Sequence, residues 1–402
     1  MSIFVAIVGL GVLIFVHELG HFAASLALRM RPRKFYVGFP PAVAKTTRGG
    51  IEYGIGAIPL GGFVKIPGMH RPAPADVDAA LDHAIEEEPS LAPGAMRVRE
   101  ALAAGDIAGA RAEVTSLRDL VESTQLSEPA ARAADRGLTD LDDGLGPDAY
   151  WRARTWKRVL VIFAGPLANI ALAVVLFAVL FMTSGGRATT TIDQVATDAP
   201  AATAGLRAGD RIVSIDGQRV GARDVSRRIS GSAGRPLLLV VEREGRLLEI
   251  GPVRARRSDG VYRLGFVLRG EGLGLPQAVS ESFRITGLVT RDIVTSLGRL
   301  VTGEGRDDIA SPIGIVQGSS NAADDGVDSF LWVLGLISLS IALLNLLPLL
   351  PLDGGHIAFA VVEGVRGRAV RREVYERVSI VGIGIVLLLF FIGVSNDIGR
   401  LS

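Results

Sequence analysis

His17-Glu18-Leu19-Gly20-His21 sets two imidazoles four residues apart, the spacing that puts both on one face of a helix. Two such nitrogens can share a metal ion, and Glu18, one position along, can reach a water at that ion as general base. Alone the pentad is a modest signal, because solvated residues on a surface helix produce it by chance. Its surroundings change the balance. Val12-Leu13-Ile14-Phe15-Val16 lead into it and Phe22-Ala23-Ala24 follow. Two histidines and a glutamate set in hydrocarbon are costly, and such residues are functional by default.

A catalytic zinc takes three protein ligands and keeps one position open for water. The chain has no Cys, so the third ligand must be a His or a carboxylate. Asp353 is the best candidate. It closes an apolar stretch in Asn345-Leu346-Leu347-Pro348-Leu349-Leu350-Pro351-Leu352-Asp353-Gly354-Gly355, where prolines and glycines break the helix. Irregular backbone at membrane depth survives only where protein buries it or a wet cavity meets it. Asp353 taken by itself could be a helix cap; beside the pentad, the ligand role is the better reading. His356 as a fourth ligand would expel the water, so it reads as a neighbour of the site or as packing. His70 and His83 lie in soluble loop sequence without ligand spacing and read as surface residues.

These residues need elements that hold them in a membrane. The 402 residues are 49% hydrophobic with a mean hydropathy of +0.37, and the apolar residues come in blocks. Blocks at 3–28, 159–183, 330–350 and 378–394 approach the ~20 residues that a bilayer core requires. The first block has no basic residue ahead of it, unlike a signal peptide, and Arg29, Arg31, Arg33 and Lys34 follow it. Arg152, Arg154, Lys157 and Arg158 precede the second block; Arg366, Arg368, Arg371, Arg372 and Arg377 lie between the third and fourth. Basic flanks stay cytoplasmic, which puts both termini and the segment between blocks two and three outside. The net charge of +1 gives no reason to expect a nucleic-acid partner.

Between the blocks, residues 51–56 and 61–66 are rich in Gly and β-formers and read as short strands with tight turns. Residues 72–150 shift to Ala, Asp, Glu and Arg, with helices expected over 97–104 and 107–121 around a Gly105-Asp106 turn. That hairpin suggests one unit of a helical repeat, too little to claim such a fold. The run 204–217 reads as a loop, a strand and a tight Asp216-Gly217 turn, with more strands at 237–242 and 247–250. Residues 276–302 read as an amphipathic helix.

HELGH in the first block with NLLPLLPLDGG closing a later one resembles the site-2 protease family of intramembrane zinc metalloproteases. The run 204–217 resembles the PDZ domains of bacterial proteases. One outside PDZ-like domain with four spans resembles the family's bacterial branch in regulated intramembrane proteolysis, and the Ala, Arg and Gly content suits an actinobacterium. The resemblance covers nearly the whole chain except 72–150. It implies a polytopic α-helical membrane protein: a first transmembrane helix (1–30), a cytoplasmic membrane-associated β-loop (31–71), a cytoplasmic helical insert (72–150) and a second transmembrane helix (151–185). An extracytoplasmic α+β PDZ-like domain (186–270), an amphipathic segment (271–328), a third helix with the LDGG motif (329–362), a basic loop (363–377) and a fourth helix (378–402) complete it.

The resemblance makes His17, His21 and Asp353 ligands of one Zn2+ and Glu18 the catalytic base. Asn345 matches a family asparagine that holds substrate backbone, and the Gly165-Pro166-Leu167-Ala168-Asn169 turn matches a further motif near the active site, which adds Asn169. The loop around Ile55, Gly56, Gly61 and Gly62 either pairs with an unwound substrate or is only a structural hairpin. Implied partners are the lipid bilayer and single-span proteins such as anti-sigma factors, cut after a first cleavage by another protease. The PDZ-like domain would be a size filter or would bind a peptide or adaptor; the insert is an adaptor site or a tolerated insertion. Two other classes compete: an inactive PDZ-bearing scaffold and a zinc transporter. A complete His-Glu-His-Asp set speaks against the first, and a general base between the histidines against the second.

The charge bias makes a direct prediction. In this cysteine-free chain, single cysteines placed at Thr139 and at Ser258 should differ toward an impermeant thiol reagent on intact cells, with only Ser258 labelled. Labelling at both or at neither overturns the orientation.

Overall fold

The computed structural model describes residues 2–183, 186–258, 260–301, 311–370 and 372–401. Arg371, one of the basic flanking residues, lies outside them. The chain forms two compact units, one of residues 1–172, 290–324 and 336–402, the other of residues 173–289 and 325–335.

Four helices are long and apolar enough to cross a membrane, so the protein is polytopic: α1 (Ser2–Ala27), Thr155–Thr183, Val327–Asn345, and Glu373–Gly399 within a longer helix. The buried residues of α1, Ala6, Leu13, His17, His21 and Ser25, recur every four or seven positions, so one stripe faces protein.

After α1 come β1 (Lys34–Arg48) and β2 (Ile51–Lys65), where short separate strands were expected. Each is bent, so the pair makes four runs. Ala44–Arg48 folds back on Ile51–Ile55 through Gly49 and Gly50, both at positive φ, as a two-residue hairpin turn demands. Lys34–Val37 lies between the Glu52–Ile55 and Gly62–Lys65 runs.

The following segment is a folded bundle of four helices, α2 (Pro74–Glu87), α3 (Ala92–Ala104), α4 (Ile107–Ser123) and α5 (Glu128–Leu145). The sequence reading found α3 and α4 and missed the other two. In α5 the inward positions are Ala130, Ala134, Leu138, Leu141 and Leu145, half-hidden among small residues that composition counts as bland. Together they close a core around Leu81, Leu91, Val98 and Leu117. The bundle is tied to the strands: Arg33 donates to Asp143 at 2.7 Å and to Asp148 at 2.8 Å, and Lys65 pairs with Asp140. Burial lowers the Arg33 pKa and the two carboxylates outweigh it, leaving the guanidinium held above its usual range.

Helix α6 (Thr155–Thr183) runs straight through Pro166, so the expected turn at 165–169 is absent. Within a membrane bundle a proline is tolerated where neighbours satisfy the freed carbonyl.

The second unit carries a sheet of β3 (Arg187–Val195), β4 (Arg211–Ile215), β5 (Gln218–Arg219), β6 (Pro236–Arg243), β7 (Arg246–Arg254) and, after a small β8–β9 hairpin (Arg256–Ser258 and Val261–Arg263), β10 (Phe266–Glu271). Its order is β10-β3-β4-β6-β7, with β5 beside β4. Helices α7 (Pro200–Thr203) and α8 (Ala222–Ser230) pack on a core of Ile192, Ile212, Ile215, Val225, Leu239 and Val241. The Asp216-Gly217 turn stands at positive φ, as its residues predict. Asp210, 1% exposed, takes Arg243 on both oxygens at 2.7 and 2.8 Å. Burial pushes its carboxyl up; Arg243 and the Arg207 amide outweigh that and hold it below the usual carboxylate range.

Helices α9 (Leu275–Val301), α10 (Pro312–Asp325) and α11 (Val327–Asn345) follow. The third apolar block was expected to be helical to 350; α11 stops at Asn345. Pro348 has no amide to give the carbonyl four residues back, and Pro351 follows within a turn; together they end the helix where the lone Pro166 of α6 does not. Chain direction resets over 346–352. Asp353 therefore opens a new helix, α12 (Asp353–Arg366), where the sequence reading had it close the old one. Helix α13 (Arg372–Leu401) ends the described chain.

Candidate metal centre

Helix α1 presents His17 and His21 from adjacent turns, and the start of α12 brings Asp353 to them. His17 Nε2 lies 3.1 Å from Asp353 Oδ2, His21 Nε2 lies 3.4 Å from the same oxygen, and the two Nε2 atoms are 3.3 Å apart. Three acceptor atoms face one point. Donors held at about 2.0–2.1 Å from a tetrahedral zinc stand roughly 3.3–3.4 Å from one another, so this triangle has the size of one face of that tetrahedron. The donor set, two neutral imidazoles and a carboxylate, is also the kind a catalytic zinc takes.

The tautomer of His21 follows from its second nitrogen. Nδ1 donates to the Val161 carbonyl of α6 at 3.0 Å, which leaves the Nε2 lone pair for the metal. Both histidines are 7% exposed. Their close seating requires α1 and α6 to approach tightly, and two glycines allow it. A Cβ on Gly20 would overlap the Ala164 carbonyl, and one on Gly165 would overlap the His21 ring.

Glu18 lies beside the triangle, with its Cγ 2.9 Å from where a Cβ on Gly62 would stand. A cavity of about 550 Å³ opens here, walled by His17, Glu18, His21 and Asp353 with Asn345, His356, Gly61, Gly62 and Val64 among its other residues. The Gly62–Lys65 run pairs with Lys34–Val37 along one edge; among the described residues no strand takes its other edge.

A family model, Peptidase family M50, matches residues 5–389. The chain belongs to peptidase family M50, the site-2 proteases. Zinc metalloprotease RasP of Geobacillus kaustophilus is 30% identical to this M50 chain, over 99% of it and 98% of RasP. An Agrobacterium fabrum protein that bears a zinc metalloprotease name is 30% identical over 98% of this chain and 94% of its own. The protease Eep of Enterococcus faecalis is 27% identical over 99% of both. This M50 protein is accordingly a site-2 protease-like metalloprotease with zinc as its cofactor. The ligand triangle is where its residues fit that ion.

The structure brings together only part of the expected substrate-binding set. Asn345, Gly61 and Gly62 wall the cavity. Ile55 does not: its run is paired on both sides, with Val37 and with Ala44, so its backbone has no free edge. Gly56 is packed under the Gly38 and Phe39 backbone. Asn169 is fully buried in α6 away from the cavity, and its side-chain amide has no hydrogen-bond partner among the described residues. The useful residue of that motif is Gly165. Sequence reading also missed the Val161 carbonyl, which no side chain announces. His356 does stand beside the site, with Nδ1 2.6 Å from Tyr375 Oη. His83 is exposed as expected, whereas the His70 ring meets Tyr375 edge-on.

The Gly165 contact is testable. Gly165→Ala should displace the His21 ring and weaken zinc binding by about tenfold or more, the scale of losing a ligand's supporting geometry. Metal content after dialysis against a graded zinc buffer measures it; full retention at the wild-type midpoint refutes the packing argument.

Proposed function

We propose that this protease cuts the transmembrane segments of single-span proteins, with His17, His21 and Asp353 as its zinc ligands and Glu18 as its general base. The observation that carries the reading is a carboxylate and two imidazoles on an apolar helix, completed by Asp353 of α12 and sharing one cavity with an open strand edge. Zinc in such a site supplies Lewis acidity toward a carbonyl and toward water. Glu18 takes the proton from that water and returns it to the leaving amine.

A transmembrane helix has its carbonyls occupied by its own hydrogen bonds and must unwind before it is cut. The outer edge of Gly62–Lys65 then supplies backbone partners to the unwound stretch, with Asn345, which lines the same cavity, helping to hold it. This replaces the broader expectation that Ile55 and Gly56 share the task. Substrates of the anti-sigma-factor kind, trimmed beforehand by another protease, fit a site of this depth. The basic flanks support cytoplasmic placement of the strands and bundle, with both termini and the second unit's sheet outside.

The sheet of the second unit fits a PDZ-like domain that governs access. Residues 186–270 contain no His, so it offers no imidazole for metal or base. A cavity of about 990 Å³ runs between α8 and β10, and β10 is an end strand of its sheet. An extended peptide could add there.

Glu18→Gln should keep about one zinc per chain and lose cleavage by several orders of magnitude, whereas His17→Ala and Asp353→Ala should lose both. Metal analysis beside a cleavage assay on a single-span substrate decides it, and near-normal turnover by Glu18→Gln sinks the mechanism. Replacing residues 190–268 by a Gly/Ser linker should preserve cleavage of a pre-trimmed substrate. A filter would also then admit an untrimmed one, while a recruiter would lose apparent affinity. Complete loss on the trimmed substrate by a folded, zinc-loaded variant refutes both versions.

A further inference from the structure

A second cavity, of about 390 Å³, lies where α1 ends and α6 begins, walled by Arg29, Arg152, Arg154 and Lys157 with a single acid, Asp148. Asp148 is already engaged, its two oxygens held by Arg33 at 2.8 and 3.3 Å. None of the four wall cations has a carboxylate partner among the described residues. Arg152 leans on the Trp151 ring at 5.7 Å and Lys157 on the Trp156 ring at 5.7 Å. Four cations left around a concave space are a poor arrangement unless an anion enters it.

The position says which anion. Helices α1 and α6 both qualify as membrane spans, so the end of one and the start of the other mark a bilayer surface. Trp156, 54% exposed, stands at that level, where tryptophans anchor to the headgroup layer. The 29-residue helix α6 adds the positive end of its dipole and first-turn amides to the same place. We infer that this cavity is a binding site for the phosphodiester headgroup of an anionic phospholipid, with Arg29 approaching from α1 and Arg154 and Lys157 from α6. Basic pockets between spans at a membrane surface are suited to such headgroups.

Binding there has a structural consequence. Met30, beside Arg29, packs in one cluster with Tyr150, Val161 and Ile162 of the α6 side. Val161 is the residue whose carbonyl holds His21. A headgroup bridging Arg29 and Lys157 fastens the two helices whose close approach the metal centre needs. Basic flanks that serve only to orient the spans would instead require charge without a concave site.

The test uses the full-length protein in phosphatidylcholine nanodiscs, with and without phosphatidylglycerol, read by thermal unfolding and by native mass spectrometry of retained lipid. Wild type should gain melting temperature with phosphatidylglycerol and retain one such lipid at collision energies that strip phosphatidylcholine. The triple variant Arg29→Gln/Arg154→Gln/Lys157→Gln should bind it at least about tenfold more weakly and lose most of the gain. An Arg366→Gln/Arg368→Gln/Arg377→Gln variant, equal in charge change but away from the cavity, should behave as wild type. Undiminished binding by the first triple overturns the site, as does equal loss by both triples, which would mark a general surface effect. A full thermal gain from inorganic phosphate alone overturns the lipid as occupant. If the triple does not fold, Lys157→Gln carries the same comparison, and unchanged lipid retention by it refutes the assignment.

Discussion

Two imidazoles and a carboxylate lie in apolar surroundings facing one another, in a triangle that fits a metal ion. Each alone would carry a desolvation cost that the helices around it could not offset. The rest of the membrane unit is arranged to bring these groups, 336 positions apart in sequence for His17 and Asp353, to one point. Helix α11 must stop early so that α12 can begin with Asp353 aimed inward, and Pro348 and Pro351 together enforce the stop. Helices α1 and α6 must nearly touch so that the Val161 carbonyl reaches His21, and Gly20 and Gly165 remove the atoms that would prevent it. The polar centre and the small residues around it are one constraint seen from two sides.

That constraint explains what was legible in the sequence. His17, Glu18 and His21 show themselves by spacing and by polarity in an apolar run, and Asp353 by the prolines and glycines around it. Spans show themselves by length. Features made of backbone do not: the Val161 carbonyl belongs to a valine that reads as an ordinary apolar residue. The strands illustrate the same limit. Their Gly-rich composition announces turns, yet which run lies at the edge depends on where each long strand bends, and that fixed Gly62 rather than Ile55 beside the site. Asn169, which the structure places outside the cavity lining, is the opposite case. Its polarity drew attention within a motif whose working residue has no side chain at all.

The helical bundle of 74–145 was half-read because alanines interrupt the leucines and valines of its core. Alanine–alanine contacts bury little area, so the periodic signal is faint even where the core is complete. Its ion pairs with Arg33 and Lys65 nevertheless join it to one end of the strand pair beside the metal centre, where the Arg33 amide donates to the Lys65 carbonyl. Arg33 precedes β1, and Lys65 closes the Gly62–Lys65 edge. A partner that shifts α5 would therefore act on the Lys65 end of that edge through both contacts at once.

The open strand edge and the metal centre make a pair that neither competing class requires. A transporter needs its ligands along a path that an ion can leave, and a scaffold needs no base. Here Glu18 packs against Gly62 of that edge. The group that would draw a proton from water is thus registered against the backbone that would hold a peptide. A peptide paired to that edge lies at a fixed offset from Glu18, whatever its side chains. On the proposed reading, the enzyme positions its substrate by backbone, and side chains matter chiefly through how readily the transmembrane helix yields. Gly and Pro in a substrate span would then act by lowering the cost of unwinding, without any pocket of their own.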